Sequence, residues 1–477
     1  MTDELSETTA RRNGNNLTAV IAWVTVLAVV GCIISLQMNR RAEPKPVGGS
    51  NSLEYVMLGV QSKYIVGVAN WFGPAATTQL EKELRAWPTE TPGQAVRAAI
   101  VIGEVIGPEE ALERIRKLKE TQASDADSDT PAEFSDETLE ALELAYEDYV
   151  DGDPTAASLS TERRESVRND LGWFGELALT PDGTDAAARN RIVAPAKRVV
   201  FGILSFTVLW GGLMLVGIGV LLFTILRVAL RSNKRFDSQP RNGRLYLEAF
   251  AIWIVSFVLL GFVIGFVIPA NLGMLGSLAV MLLSLGAVTW PRFRGVSWNE
   301  IQADIGWTRG QGLLRELVAG VGSYATALPM IAGAYIVVFI VLYAFGIELQ
   351  FDHSSAHPIV EQQIGASIWT AIQMFILACI MAPLLEETVF RGLLYRHLRE
   401  ASSRLPFLLS MFFSAVVNAT IFAAIHPQGF VALPALGAIA VALSLSREYR
   451  DSLIAPIIGH AINNTVTMSL LFFLFSN

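Results

Sequence analysis

The fold and the chemistry of this chain are decided in the stretch Pro383-Leu-Leu-Glu-Glu-Thr-Val-Phe-Arg-Gly-Leu-Leu-Tyr-Arg396. Two adjacent carboxylates and an arginine lie there inside an apolar run that is long enough to cross a bilayer. An ionisable group in that position costs at least ~2.5 kcal/mol unless it is paired or faces water. The stretch therefore predicts a buried ion pair, a polar site within a membrane, or both.

Helical spacing separates the two glutamates. Glu387 and Arg391 are four residues apart and can pair on one face, whereas Glu386 points about 100° away. The spacing predicts a structural pair of Glu387 with Arg391 and leaves Glu386 without its own counter-ion. Taken alone, this pattern fits an ion-pair link between helices as well as it fits a reactive site.

Composition indicates an all-α polytopic membrane protein. Of the 477 residues, 52% are hydrophobic and only 17% are charged, which excludes a large soluble core. The net charge of −8 comes mainly from one acidic region, and no nucleic-acid partner is expected. Cys32 and Cys379 both lie in apolar segments, so neither disulfides nor cysteine-based zinc sites are expected.

Hydrophobic runs predict about nine transmembrane helices. A polar tail, 1–16, precedes an uncleaved anchor, 17–36, because no cleavage pattern follows that run. The other runs approach or exceed the ~20 residues of a span, except one from Phe430, which is short enough to be recessed. They are 199–226, 245–268, 272–290, 317–345, 365–395, 407–425, 430–445 and 453–475.

Residues 37–198, between the first two spans, have the composition of an acidic, water-soluble domain. A Pro/Gly/Ser-rich linker, 43–51, opens this region, and an acidic stretch occupies 125–153. Apolar residues at helical spacing predict amphipathic helices, one of them starting at Pro108: Leu112, Ile115, Leu118, Leu139, Leu142, Tyr146 and Tyr149. We expect a helical domain without a catalytic cluster, whose role is binding or regulation, for instance of a protein partner.

Basic residues predict the orientation. One short loop contains Arg227, Arg231, Lys234, Arg235, Arg241 and Arg244, which the positive-inside rule places in the cytoplasm. Alternation then puts the N-terminus in the cytoplasm and 37–198 outside, with 199–310 forming spans and cytoplasmic linkers in a bacterial inner membrane. Four basic residues oppose this orientation: Arg40, Arg41, Lys197 and Arg198.

Two of the five histidines lie in apolar runs. His353 and His357 occupy a polar loop, and His397 stands among arginines, where a solvated position is expected. His426 ends one apolar run, whereas His460 lies within another. Hydrogen bonding between helices is the simpler explanation for one such histidine, but two of them beside an under-paired glutamate favour chemistry.

These groups are suited to the activation of water. A desolvated carboxylate can act as a general base while a histidine shares the proton, and Glu386 with His426 fits that pair. A developing oxyanion needs hydrogen-bond donors, which His460 and Asn464, four residues apart, could supply from one helix face. The set fits hydrolysis of an amide bond.

Three ordered motifs resemble those of the CPBP family, the CAAX prenyl endopeptidases and bacteriocin-processing or immunity-type membrane proteins. They are Glu386-Glu387-x-x-x-Arg391, Phe422-x-x-x-His426 and His460-x-x-x-Asn464. The resemblance begins near Glu316, with a related linker from Asp304, and predicts a catalytic membrane domain at 311–477. It implies an intramembrane endopeptidase for membrane-associated peptides or proteins, in which Glu386 and His426 activate water and His460 and Asn464 stabilise the oxyanion.

The resemblance leaves the cofactor and the activity open. Zinc, if bound, would take Glu386, His426 and His460, yet a metal-free glutamate mechanism uses the same residues and no His-Glu-x-x-His motif is present. The alternative function is a catalytically silent CPBP-fold scaffold or immunity-type protein. A transporter is less favoured, because paired inverted repeats with broken helices are not evident.

The predicted topology also contains a conflict. It places Glu386 and His460 in the cytoplasmic half of the membrane but His426 near the outer end of its helix. Either that helix begins deeper or the loop 427–429 is recessed, and the short run that follows favours a recessed loop.

Overall fold

A computed structural model describes residues 16–42, 53–87, 89, 91–124, 135–229, 241–269, 272–346, 367–427 and 430–475. These residues are helical with no strand, which confirms the predicted all-α membrane fold. The helices are α1 (Asn16–Ala42), α2 (Leu53–Phe72), α3 (Pro74–Arg85), α4 (Pro92–Val105), α5 (Pro108–Ser124), α6 (Asp136–Val150), α7 (Thr161–Leu171), α8 (Trp173–Ala178), α9 (Ala186–Ala229), α10 (Gly243–Val267), α11 (Gly273–Ser284), α12 (Trp290–Phe293), α13 (Trp298–Ile305), α14 (Leu313–Phe345), α15 (Ile368–Ala401), α16 (Phe407–Ala424), α17 (Leu433–Arg450) and α18 (Ile454–Phe475).

Eight segments of the described chain are long and apolar enough to cross a membrane. They are α1, α9, α10, Gly273–Phe293, α14, α15, α16 and α18. The ninth predicted run, 430–445, forms a 3₁₀ turn, Phe430–Ala432, and most of α17, which packs against α14 and α16. This helix does not qualify as a span because its last turns carry charged residues, Arg447 and Arg450 among them.

One compact unit combines α1 with residues 210–472. Its core contains aromatic rings packed edge to face: Phe390 lies 5.4 Å from Phe250, 5.6 Å from Trp253 and 5.0 Å from Phe422, measured between ring centroids. Aromatic pairs at these separations stabilise a core beyond the area that they bury. Since Phe390 belongs to the motif helix α15, the core fixes the helix that carries both glutamates.

The second compact unit has its described residues mainly within 53–209. α5 begins at Pro108 as predicted, and Leu139, Leu142 and Tyr146 of α6 are buried, which confirms the amphipathic pattern. The side chain of Ser135 accepts a hydrogen bond from the Thr138 amide and so caps α6. The predicted linker and the first part of the acidic stretch, 125–134, lie outside the described residues.

The motif helix α15 is not a regular α-helix. The Ser367 hydroxyl accepts from the Thr370 amide at 3.1 Å and caps its start. Two π-helical turns follow, Leu377–Met381 and Glu387–Leu394. Pro383, which has no amide hydrogen to donate, lies between them. Wide turns of this kind occur frequently at functional sites, and the second one begins at Glu387.

Buried ion pairs fix the C-terminal end of α15. Arg399 donates two hydrogen bonds to the Glu448 carboxylate on α17, at 2.7 and 3.0 Å. Arg396 lies 3.4 Å from the carboxylate of Asp304 on α13. All four side chains are buried. These arginines are therefore paired inside the protein.

His397 is buried as well, and the expectation that it is solvated is wrong. Its Nε2 accepts from the Trp23 indole at 3.2 Å, and its Nδ1 lies 3.0 Å from the Gly243 carbonyl. The neighbouring arginines, Arg396 and Arg399, suggested a solvent-exposed surface. Their charges are instead neutralised by carboxylates from other helices. His353 and His357 lie outside the described residues.

Candidate active site

Glu386 lies at the centre of the candidate site. Its Oε2 is 3.7 Å from Nε2 of His426 and 3.8 Å from Nε2 of His460. Three different helices or helix ends, those of α15, α16 and α18, thus bring their side chains to one point. The conflict in the predicted topology does not separate these residues, although the loop that was expected to be recessed lies partly outside the described chain.

His426 is held at the end of α16. Its Nδ1 is 2.6 Å from the carbonyl oxygen of Phe422, one turn earlier, and the two rings lie 4.3 Å apart. The last carbonyls of a helix have no partner within the helix, so this contact satisfies one of them. It also directs Nε2 towards Glu386.

His460 is held by the second glutamate of the motif. Its Nδ1 lies 2.8 Å from Oε1 of Glu387, and the same oxygen accepts from Nη1 of Arg391 at 2.9 Å. Glu387 and Arg391 are completely buried. Sequence spacing led us to expect the pair, but the contact with His460, which is 73 positions away, has no local signal.

Asn464 lies one turn beyond His460 on α18. Its Nδ2 donates to the carbonyl of Ala378 at 2.8 Å, while its Oδ1 accepts from Asn463 at 3.1 Å. An amide nitrogen carries two hydrogens, so one donor remains for a ligand. The structure therefore fixes the orientation of the amide that the sequence suggested for oxyanion binding.

The histidine contacts determine where the protons lie. Carbonyl and carboxylate oxygens only accept hydrogen bonds, so Nδ1 carries the proton in both His426 and His460. In the neutral rings each Nε2 then presents a lone pair towards Oε2 of Glu386. The separations exceed hydrogen-bond length, and Oε2 has no hydrogen-bond partner among the described residues. In this neutral state the converging acceptors suit a molecule with hydrogens to donate, such as water, whereas a second proton on the His460 ring turns its Nε2 into a donor.

We also tested whether these residues fit a metal ion. Zinc sites of this composition hold two imidazole nitrogens and one carboxylate oxygen at about 2.0–2.2 Å from the ion. Within the part of the chain that the structure describes, no group of three His, Cys, Asp or Glu side chains is arranged to hold a metal, the set Glu386, His426 and His460 included.

The linker that follows α13 supports the motif helix from the side. The indole of Trp307 donates to the Thr388 hydroxyl at 3.2 Å, and the Leu453 amide donates to the Gly306 carbonyl at 2.9 Å. Gly306 has φ of +89°, a conformation that favours glycine. The linker therefore joins α15 to the start of α18, the two helices that carry Glu386 and His460.

Family comparison identifies the part of the chain that contains the site. A family model described as type II CAAX prenyl endopeptidase Rce1-like matches residues 368–466. The match supports the resemblance of this segment, called the CPBP segment below, to the CPBP family. No curated protein and no solved structure matches the chain. The CPBP segment contains all of the predicted site residues, and it begins at the first residue of α15.

Sequence reasoning missed two residues outside the CPBP segment. Trp23 and Gln37, both on α1, donate to His397 and to the carbonyl of Ile425. In the sequence they stand out only as polar or amphipathic side chains in an apolar helix. That feature does not indicate which residue each of them contacts.

Proposed function

We propose that this protein is an intramembrane endopeptidase that hydrolyses peptide bonds of membrane-associated peptides or proteins. The observation that carries the proposal is the approach of His426 Nε2 and His460 Nε2 to Glu386 Oε2, at 3.7 and 3.8 Å. The matched family is one of proteases, which supports a peptidase at the level of reaction class. The chain is an integral membrane protein, so its substrate reaches the site within or beside the bilayer.

In the proposed reaction Glu386 takes a proton from a water molecule while the water oxygen attacks the carbonyl carbon of the peptide. Nε2 of His426 accepts a hydrogen bond from the second O–H of that water, which stays on the attacking oxygen, and so fixes the direction of attack. The carbon–oxygen bond forms, and the carbonyl electron pair moves to the oxygen. The oxyanion accepts from the free hydrogen of the Asn464 amide and from Nε2 of a doubly protonated His460.

Collapse of the tetrahedral intermediate completes the reaction. The carbon–nitrogen bond breaks as Glu386 returns its proton to the departing amine, so a carboxylic acid and an amine are released. Glu387 holds His460 in the required orientation and stabilises its positive charge, as a buried carboxylate does for a catalytic histidine. Arg391 in turn neutralises Glu387.

The test compares membrane peptides from cells that produce the wild type, Glu386→Ala or His426→Ala. Mass spectrometry of those peptides should show new ends only with the wild type. Equal peptide patterns in all three samples would identify a catalytically silent scaffold instead.

We further propose that the N-terminus faces the cytoplasm of a bacterium and that 37–198 lies outside its inner membrane. The proposal is supported by the basic residues between the second and third predicted spans, of which Arg227, Arg241 and Arg244 belong to the described chain. The same proposal assigns the second unit to binding of a protein partner. The proposed substrate class is a membrane-associated polypeptide, with or without a prenyl group.

A further inference from the structure

The N-terminal helix α1 is built into the unit that contains the candidate site. Ala22, Val26 and Val30 are buried in the same core as Phe422. Two polar contacts flank this apolar face, from Trp23 to His397 at 3.2 Å and from Gln37 to Ile425 at 3.2 Å. Fourteen residues of helix separate them, which is about 21 Å along its axis.

The Gln37 contact falls on the peptide group that carries His426. Nε2 of Gln37 donates to the Ile425 carbonyl, and the amide on the other side of that peptide bond, of His426, donates to the Ala423 carbonyl at 3.2 Å. Because a peptide group is planar, the two hydrogen bonds fix its plane from opposite sides. The ring is fixed separately, since Nδ1 lies 2.6 Å from the Phe422 carbonyl.

This peptide group needs a partner from outside its helix. α16 ends at Ala424, and the carbonyls at the C-terminal end of a helix lack N–H donors within the helix. In apolar surroundings an unpaired carbonyl is unfavourable, and water is the usual alternative partner at a helix end. Gln37 supplies a neutral donor, so no additional charge is placed beside Glu386 and His426.

We propose that Gln37 is a positioning residue for His426, and that α1 is a component of the catalytic unit as well as a membrane anchor. The effect on catalysis rests on the proposed function, whereas the effect on the backbone of His426 does not. Gln37 lies outside the segment that matches the family model.

Hydrogen exchange of the full-length protein in detergent tests the positioning directly. Gln37→Met keeps the length of the side chain but removes the donor, and Leu27→Ala is the matched control, since Leu27 is on the same helix with 61% of its surface exposed. With Gln37→Met the amides of 422–426 should exchange roughly three- to tenfold faster, the factor expected for loss of one hydrogen bond. Exchange in α10 and α17 should not change, and Leu27→Ala should match the wild type.

An unchanged rate at 422–426, or a uniform increase in every helix, would overturn the proposal. Where the wild type shows Glu386-dependent cleavage, Gln37→Met should also lower kcat about tenfold with KM unchanged, because misplaced catalytic groups reduce the rate of the chemical step. An unaltered kcat would likewise overturn it. If the wild type cleaves nothing, the proposed function fails, and the exchange rates alone decide whether Gln37 positions His426.

Discussion

Glu387 accepts from His460 at 2.8 Å through the same oxygen that pairs with Arg391. The second glutamate of the motif therefore links a charge pair within one helix to a histidine on another. Among the described residues, its side chain contacts His460 and Arg391, and it is Glu386 that faces both Nε2 atoms. In the proposed reaction its effect therefore passes through the orientation and charge of His460.

Glu387→Gln should lower the rate of peptide cleavage about 10- to 100-fold, because the amide no longer stabilises a protonated His460. It should also destabilise the fold by about 3–5 kcal/mol, since Arg391 becomes a buried charge without a counter-ion. The measurements are cleavage rate and denaturant unfolding of the detergent-solubilised protein.

The double variant Glu387→Gln with Arg391→Met separates the two effects. Removing both charges should restore most of the stability, as replacement of a buried pair by apolar groups often does. It should not restore cleavage. A double variant that cleaves at the wild-type rate would show that Glu387 acts only through the charge of Arg391.

The buried pair of Arg399 and Glu448 should stabilise the fold and take no part in peptide cleavage. Arg399→Met leaves Glu448 unpaired and should lower the free energy of unfolding by about 3–5 kcal/mol. Arg163→Met is the matched control, because its partner Glu140 is 3.6 Å away on an exposed surface and such pairs contribute about 0–1 kcal/mol. Equal losses in the two variants would contradict the assignment of Arg399 as a buried structural charge.

Gly103 should tolerate no larger side chain in the second unit. A Cβ at this position would lie 2.7 Å from Cε1 of Tyr146 and 2.9 Å from Cβ of Ala111. Gly103→Val should therefore destabilise that unit by about 1–3 kcal/mol through overpacking. Gly59→Val, where a Cβ meets nothing within 4 Å, is the control, and proteolysis of the unit measures both. Equal protease resistance would contradict the packing around α4, α5 and α6.

Cysteine labelling tests the orientation. Ala157→Cys, at an exposed position of the second unit, should react with a membrane-impermeant maleimide in intact spheroplasts. Arg309→Cys, in the linker before α14, should react only after the membrane is opened. Both variants need Cys32→Ala and Cys379→Ala as the background. The reverse pattern would place the N-terminus outside.

Much of the fold follows from local sequence, because a helix in a bilayer must satisfy its backbone internally and therefore leaves a long apolar run. The start of α5 at Pro108 and the buried stripe of α6 could be predicted for a similar reason, since capping and periodicity act within a few residues. The ordered motifs predicted that Glu386, His426 and His460 lie close together, and the structure places both Nε2 atoms within 3.8 Å of Oε2 of Glu386.

Partners that are distant in the chain could not be predicted. His397 looked solvated because its neighbours are arginines, but those arginines meet carboxylates contributed by α13 and α17. Gln37 directly follows the predicted anchor, 17–36, yet its amide donates to the carbonyl of the residue before His426. In each case the deciding contact joins two helices, and no spacing within either helix encodes it.

The most direct test of the central claim is to follow the oxygen of water into the product. Full-length protein in proteoliposomes is incubated with a membrane-peptide extract in H₂¹⁸O, and the new C-termini are analysed by mass spectrometry, with Glu162→Gln as an exposed control for Glu386→Gln. Wild type and Glu162→Gln should place one ¹⁸O atom in each new carboxylate, whereas Glu386→Gln should lower that incorporation by about 10²–10⁴-fold. Equal incorporation by the wild type and Glu386→Gln would contradict the assignment of Glu386 as the base that activates water.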